Sequence, residues 1–150
     1  MSECSNIDFF NRLCVILFDR LYAEFPKKSD ISVDELLDAA LKQHDTTDSR
    51  YLLELVSDAV SFLVDEDFIT IGQHQLMNGK EIGQARLTMK GLSILGCPVS
   101  LEPKAPTLID SIKTIVESGA KDAGGMATSK LITTIFGMAT GIPSALLSLS

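Results

Sequence analysis

The chain is poor in the residues from which reactive centres are built. Its two histidines, His44 and His74, are far apart, and neither stands at a metal-ligand spacing from a cysteine or carboxylate, so both read as solvated loop residues. The three cysteines, Cys4, Cys14 and Cys97, are an odd number with no CxxC pair, and two of them sit among apolar neighbours. That excludes a disulfide framework and points to a reducing, cytoplasmic compartment. No HExxH, GxSxG, Walker-type GxxxxGK or GxGxxG string occurs, and Gly72, Gly79 and Gly83 are too widely spaced to cradle a phosphate. Without a converging set of nucleophile, base and electrophile, the chain is not expected to be an enzyme, nor to carry a cofactor or metal. No basic stretch precedes an apolar run at the start, and Asp19 and Arg20 interrupt the apolar stretch that follows, so a secretory leader is not expected.

What the chain does have is apolar periodicity and an uneven charge. At 150 residues and 45% hydrophobic composition it can bury a core without staples, which excludes a disordered chain. The net charge of −7 is concentrated: residues 30–67 hold eleven acids against Lys42 and Arg50, while the segments on either side are neutral or slightly basic. A block of that sign repels nucleic-acid phosphates.

From Ser5 or Asn6, apolar residues recur at three and four through Phe9, Phe10, Leu13, Cys14, Leu17, Phe18, Leu21 and Phe25, predicting a helix that Pro26 ends. Ser32 with Glu35 three residues later forms a capping box for a second helix burying Val33, Leu36, Leu37, Ala40 and Leu41. A third helix is predicted from Tyr51, Leu52, Leu55, Val56, Ala59, Val60, Phe62 and Leu63, closing at Asp65-Glu-Asp67. Three carboxylates where the macrodipole is already negative suggest a metal or partner site, but without the liganding spacing of a calcium loop they read as a solvated turn. Tyr22, Tyr51 and the phenylalanines are all expected to pack in the core. Phe68 to Ile71 and Ala85 to Thr88 predict a hairpin around an Asn78-Gly79 turn, and Met89 to Leu95 a short helix.

Three prolines, Pro98, Pro103 and Pro106, mark 98–106 as a linker between a first domain over 1–97 and a C-terminal helical segment over 107–150. The fold class is thus mainly α with a small β-hairpin, followed by a Gly/Ala/Thr-rich helical segment. In the latter, Gly125, Ser129, Thr133, Gly137 and Gly141 recur every four residues, a ridge that lets two helix backbones approach closely. Residues 131–150 carry no charge, but threonines and Pro143 dilute them as a membrane span. Docking on the core or on a second copy is the expected use of this segment.

The order of helices and hairpin, with Phe62-Leu-Val-Asp-Glu-Asp-Phe-Ile69 before the turn and Ala85-Arg-Leu-Thr-Met-Lys-Gly-Leu92 after it, resembles the winged helix-turn-helix fold of MarR-type and PadR-type regulators over about residues 7–96. In DNA-reading members the third helix enters the major groove and a basic wing meets the backbone. Here that helix offers Glu54 and Asp58 instead. The resemblance together with the charge implies a non-catalytic intracellular module that binds an unidentified, basic protein through Asp34, Asp38, Glu54 and Asp58, and that forms a homo-oligomer through Gly125, Ser129, Thr133, Gly137 and Gly141. One alternative is a dimeric DNA-binding regulator using Arg50, Lys80, Arg86 and Lys90, a nucleic-acid partner that the charge disfavours. Another is a membrane-associated, oligomerising protein acting through residues 125–150.

Overall fold

A computed structural model of the chain describes residues 6–40, 49–72, 81–117 and 126–139. Cys4, Leu41, His44, His74, the Asn78-Gly79 turn and Pro143 lie outside them. Among the described residues the elements run α1 (Asn6–Glu24), β1 (Ser29–Ser32), α2 (Val33–Ala40), α3 (Ser49–Asp65), β2 (Ile69–Thr70), β3 (Glu81–Leu87), α4 (Met89–Leu95), α5 (Leu108–Glu117) and α6 (Met126–Ala139). The molecule is mainly helical with one small antiparallel sheet.

The centre is α1, and it is not the one-faced helix that its apolar stripe predicts. Every residue from Asn11 to Phe18 is buried, including Arg12 as well as Val15 and Ile16 on the side away from the stripe. The cause is that α2, α3, α5, α6 and β3 all pack against it. Burying a Leu, Ile, Val or Phe side chain contributes about 1.5–3 kcal/mol, so α1 supplies much of the driving force for the whole fold. It stops at Glu24, before a cis Phe25-Pro26 bond.

Where a two-stranded hairpin is expected, the sheet has three strands in the order β1-β3-β2. β1 pairs with β3 (Ser29 with Ala85, Ile31 with Ile82) and β2 pairs with β3 (Ile69 with Leu87, Thr70 with Arg86), both antiparallel. β1 escapes sequence detection because Ile31 is its one large apolar residue, and serine and aspartate are weak strand formers. Between the first two pairings β3 carries one more residue than β1. That bulge holds Gln84 at φ 54, and the Asp30 carboxylate accepts the Gln84 N–H at 2.9 Å.

Ser32 caps α2 as expected, accepting the Glu35 N–H at 3.4 Å. The Glu35 carboxylate meets Arg20 of α1 at 2.9 Å. At the far end of α3, Asp67 N–H bonds Val64 O and Phe68 N–H bonds Leu63 O, with Asp67 left-handed at φ 67. This is a Schellman closure in which aspartate holds the position that glycine usually takes. The acidic triplet is therefore a solvated helix stop, as its sequence suggests, and all three of its residues are exposed.

The Leu87-Thr-Met-Lys-Gly91 segment locks onto this stop. Thr88 N–H donates to Phe68 O at 3.0 Å, and the Thr88 hydroxyl donates to Asp67 O at 2.6 Å. The same Oγ1 accepts the Gly91 N–H at 3.0 Å, capping α4. Lys90 Nζ donates to Glu66 O at 3.0 Å, and lies 5.5 Å from the centre of the Phe68 ring. It thereby satisfies a carbonyl at the negative end of α3.

Residues 98–106 close on themselves. Val99 N–H donates to Pro106 O at 2.8 Å, Leu108 N–H donates to Cys97 O at 2.8 Å, and Pro98 bridges to Thr107, so α5 begins beside the end of α4. Thr107 and Asp110 then cap α5 reciprocally, each accepting the other's backbone N–H at 3.2 Å. Leu108, Ile109, Ile112 and Ile115 of α5, and Leu131, Ile132 and Ile135 of α6, are buried in the same hydrophobic cluster as α1. Lys113 adds an ion pair to Asp19 at 3.1 Å. Docking on the core is the use this structure makes of the C-terminal helices.

Candidate functional site

The outward side of α3 is the most distinctive surface of the described chain. Leu52, Val56, Ala59, Val60 and Leu63 turn inward and are buried, which fixes the helix's rotation. Tyr51, Glu54, Asp58, Ser61, Phe62 and Asp65 are consequently exposed along one strip. Two of these correct the sequence expectation: Tyr51 and Phe62 belong to the exposed strip rather than the core, at 40% and 43% exposure. The pattern that placed them in the core takes in more than half of the helix circumference, whereas the buried arc centres on Val56 and Leu63. A narrower arc drawn on the same residues leaves Tyr51 and Phe62 at its edge beside the acids.

Phe62 does not stand alone. Its ring lies 5.7 Å from that of Phe10 of α1, edge to face, and 5.9 Å from that of Phe136 of α6, also edge to face. Phe10 and Phe136 stack at 5.9 Å, and Phe136 reaches the buried Phe68 at 5.2 Å. Phe68 in turn meets Phe18 at 5.8 Å. A chain of five rings therefore runs from the deep core to the surface, and its outer members are the partly exposed Phe10, Phe62 and Phe136. Such contacts add about 0.5–1.5 kcal/mol each beyond burial, so the outer rings are held in place rather than loose. α6 carries no aromatic residue besides Phe136 among the described residues, and no spacing rule in the sequence links it to Phe10 and Phe62.

The four expected acidic contacts divide between two helices. Asp34 and Asp38 are exposed one turn apart on α2, Glu54 and Asp58 are exposed one turn apart on α3, and the two helices pack together. The expected basic set is placed differently from a phosphate-reading surface. Arg86 is half-buried with its guanidinium 3.5 Å from Pro26 O, and Lys90 is the half-buried donor to Glu66 O. Lys80 and the side chain of Arg50 lie outside the described residues.

In the small-residue ridge, Ser129 and Gly137 are half-buried and Thr133 is exposed, away from the buried Leu131, Ile132 and Ile135; Gly125 and Gly141 lie outside the described residues. Among the described residues no helix is long and apolar enough to cross a membrane, and no cluster of histidine, cysteine and carboxylate side chains could hold a metal. Cys14 and Cys97 are free thiols, and burial pushes the Cys14 thiol well above its ordinary pKa. No protein-family model matches the chain, no curated protein is similar to it, and no solved structure matches it.

Proposed function

We propose that the first two thirds of the chain form a winged-helix module that has no catalytic role and binds a protein partner in the cytoplasm through the outward face of α3. The order helix, strand, helix, helix, strand, strand, with β3 between β1 and β2, supports the winged-helix reading. The observation that carries the function is the strip Glu54, Asp58 and Asp65 beside exposed Tyr51 and Phe62 on the helix that reads DNA in related folds. Carboxylates there repel a duplex. Arg86 and Lys90 bond backbone carbonyls of their own chain, which favours a structural role for them over phosphate contact.

Self-association through α6 is the second part of the reading. It rests on exposed Thr133 between half-buried Ser129 and Gly137, small residues that allow close backbone approach. A Thr133→Arg chain is expected to be lighter than the parent in light scattering if this face pairs copies.

A photo-crosslinking amino acid at Ser61 tests the main proposal. Adducts with protein that disappear in a Glu54→Lys, Asp58→Lys chain are the expected outcome. Salt-sensitive retardation of duplex DNA, lost on neutralising Arg50, Lys80, Arg86 and Lys90, would instead establish the regulator alternative.

A further inference from the structure

The acids and the rings on α3 adjoin each other, and together they specify the chemistry of a partner more narrowly than either does. Glu54, Asp58 and Asp65 fall at i, i+4 and i+11, a row about 16 Å long at the helical rise. No ion pair engages any of the three among the described residues. Along one edge of that row stands Phe62, 43% exposed, with its ring already fixed by Phe10 and Phe136. An apolar group arriving there meets a surface that needs no ordering, which lowers the entropic cost of binding.

We infer that this face takes a lysine- or arginine-rich amphipathic helix, whose apolar residue seats on Phe62 and the edges of Phe10 and Phe136 while its basic residues meet Glu54, Asp58 and Asp65. The inference rests on the protein-binding reading of α3 and names its partner by chemistry. Charge complementarity selects a basic partner, and the aromatic edge selects one with an apolar stripe. The row spans about three helical turns, long enough for a bound helix to lie along it with one face. A second copy is the weaker occupant, since two-fold pairing through α3 would bring each copy's Glu54, Asp58 and Asp65 against the other's.

The test uses the full chain and two fluorescein-labelled peptides of about five helical turns. Both are lysine-rich; one carries leucine on a single face and the other alanine at the same positions. Anisotropy is expected to show the leucine peptide binding at least about tenfold more tightly than the alanine one, a margin typical of one buried apolar anchor. Phe62→Ser is expected to erase that margin. Ser61→Arg, which places a cation in the middle of the strip without touching the core, is expected to weaken both peptides, as is the Glu54→Lys, Asp58→Lys chain.

Equal binding of the two peptides, unchanged by Phe62→Ser but lost on charge reversal, overturns the anchor while leaving the acidic face of α3 intact. Binding indifferent to all these substitutions removes the α3 reading as well. Peptide binding that appears only after removal of residues 140–150, or a doubled molar mass that Phe62→Ser halves, gives the surface to the chain's own end or to a second copy and overturns the proposal.

Discussion

A Cβ atom placed on Gly91 would lie 2.5 Å from the carbonyl oxygen of Phe68, closer than real Cβ contacts come. The contact exists because Thr88 pulls α4 onto the stop of α3 through the Phe68 and Asp67 carbonyls. Backbone stands on both sides of the gap, so relief requires moving an element. Gly91→Ala is expected to cost about 2–3 kcal/mol, read as a lower urea midpoint at unchanged slope. Gly83→Ala is the contrast: its Cβ would meet nothing nearer than Asp30 Oδ1 at 3.9 Å, and stability should change by less than about 0.5 kcal/mol.

Asp67 occupies the left-handed position of the Schellman stop at φ 67. An L-residue gives up about 1–2 kcal/mol there, part of which glycine returns as lost chain entropy on folding. Asp67→Gly is therefore expected to raise thermal stability by about 0.5–1 kcal/mol, and Asp67→Ala to lower it, because alanine lacks the short polar group that eases this conformation. Calorimetry of the two variants side by side settles the sign.

Lys90 and Arg86 separate the structural from the nucleic-acid reading. Lys90→Met removes a donor to Glu66 O and a cation above the Phe68 ring, and should cost about 1 kcal/mol of stability. Duplex binding at low salt is expected to be absent in the parent and in the variant alike. A retardation that weakens with Lys90→Met at unchanged stability would assign the lysine to phosphate.

The buried Cys14 thiol is shielded and its pKa is raised by burial. It is expected to react with a thiol reagent only on unfolding, whereas half-buried Cys97 reacts in the native chain. The folded state holds this proton more tightly than the unfolded state. Stability therefore falls as pH rises past the thiol's ordinary 9.0 toward its folded value, and a Cys14→Ala chain should lack that part of the decline. Denaturant titrations at neutral and alkaline pH, compared between the two chains, measure it.

Most of the helices are legible in the sequence because local rules set them: three-and-four spacing for α1 and α3, a serine cap for α2, Pro26 after α1 and Gly96 after α4. The Phe62 to Ile69 and Ala85 to Leu92 strings are equally legible as a pair, and within them the structure ties a helix stop to a helix start through Thr88. β1 is not legible, since its pairing with β3 depends on Ile31 and a long-range bond from Gln84 to Asp30. Nor is the full burial of α1, which follows from the return of α5 and α6 across the chain. At the candidate site the acids can be read directly. Their aromatic neighbour cannot, because Phe62 owes its surroundings to Phe10 and Phe136 from distant elements.

On the proposed function, α3 meets protein and not nucleic acid. Amide chemical-shift mapping on the isotope-labelled chain, titrated in parallel with the leucine-faced lysine peptide and with duplex DNA at low salt, tests it most directly. The peptide is expected to move the resonances of Tyr51 to Asp65 together with Phe10 and Phe136, and DNA to move none of them. Shifts produced by DNA at Arg86, Lys90 and the start of α3, with no response to the peptide, would contradict it.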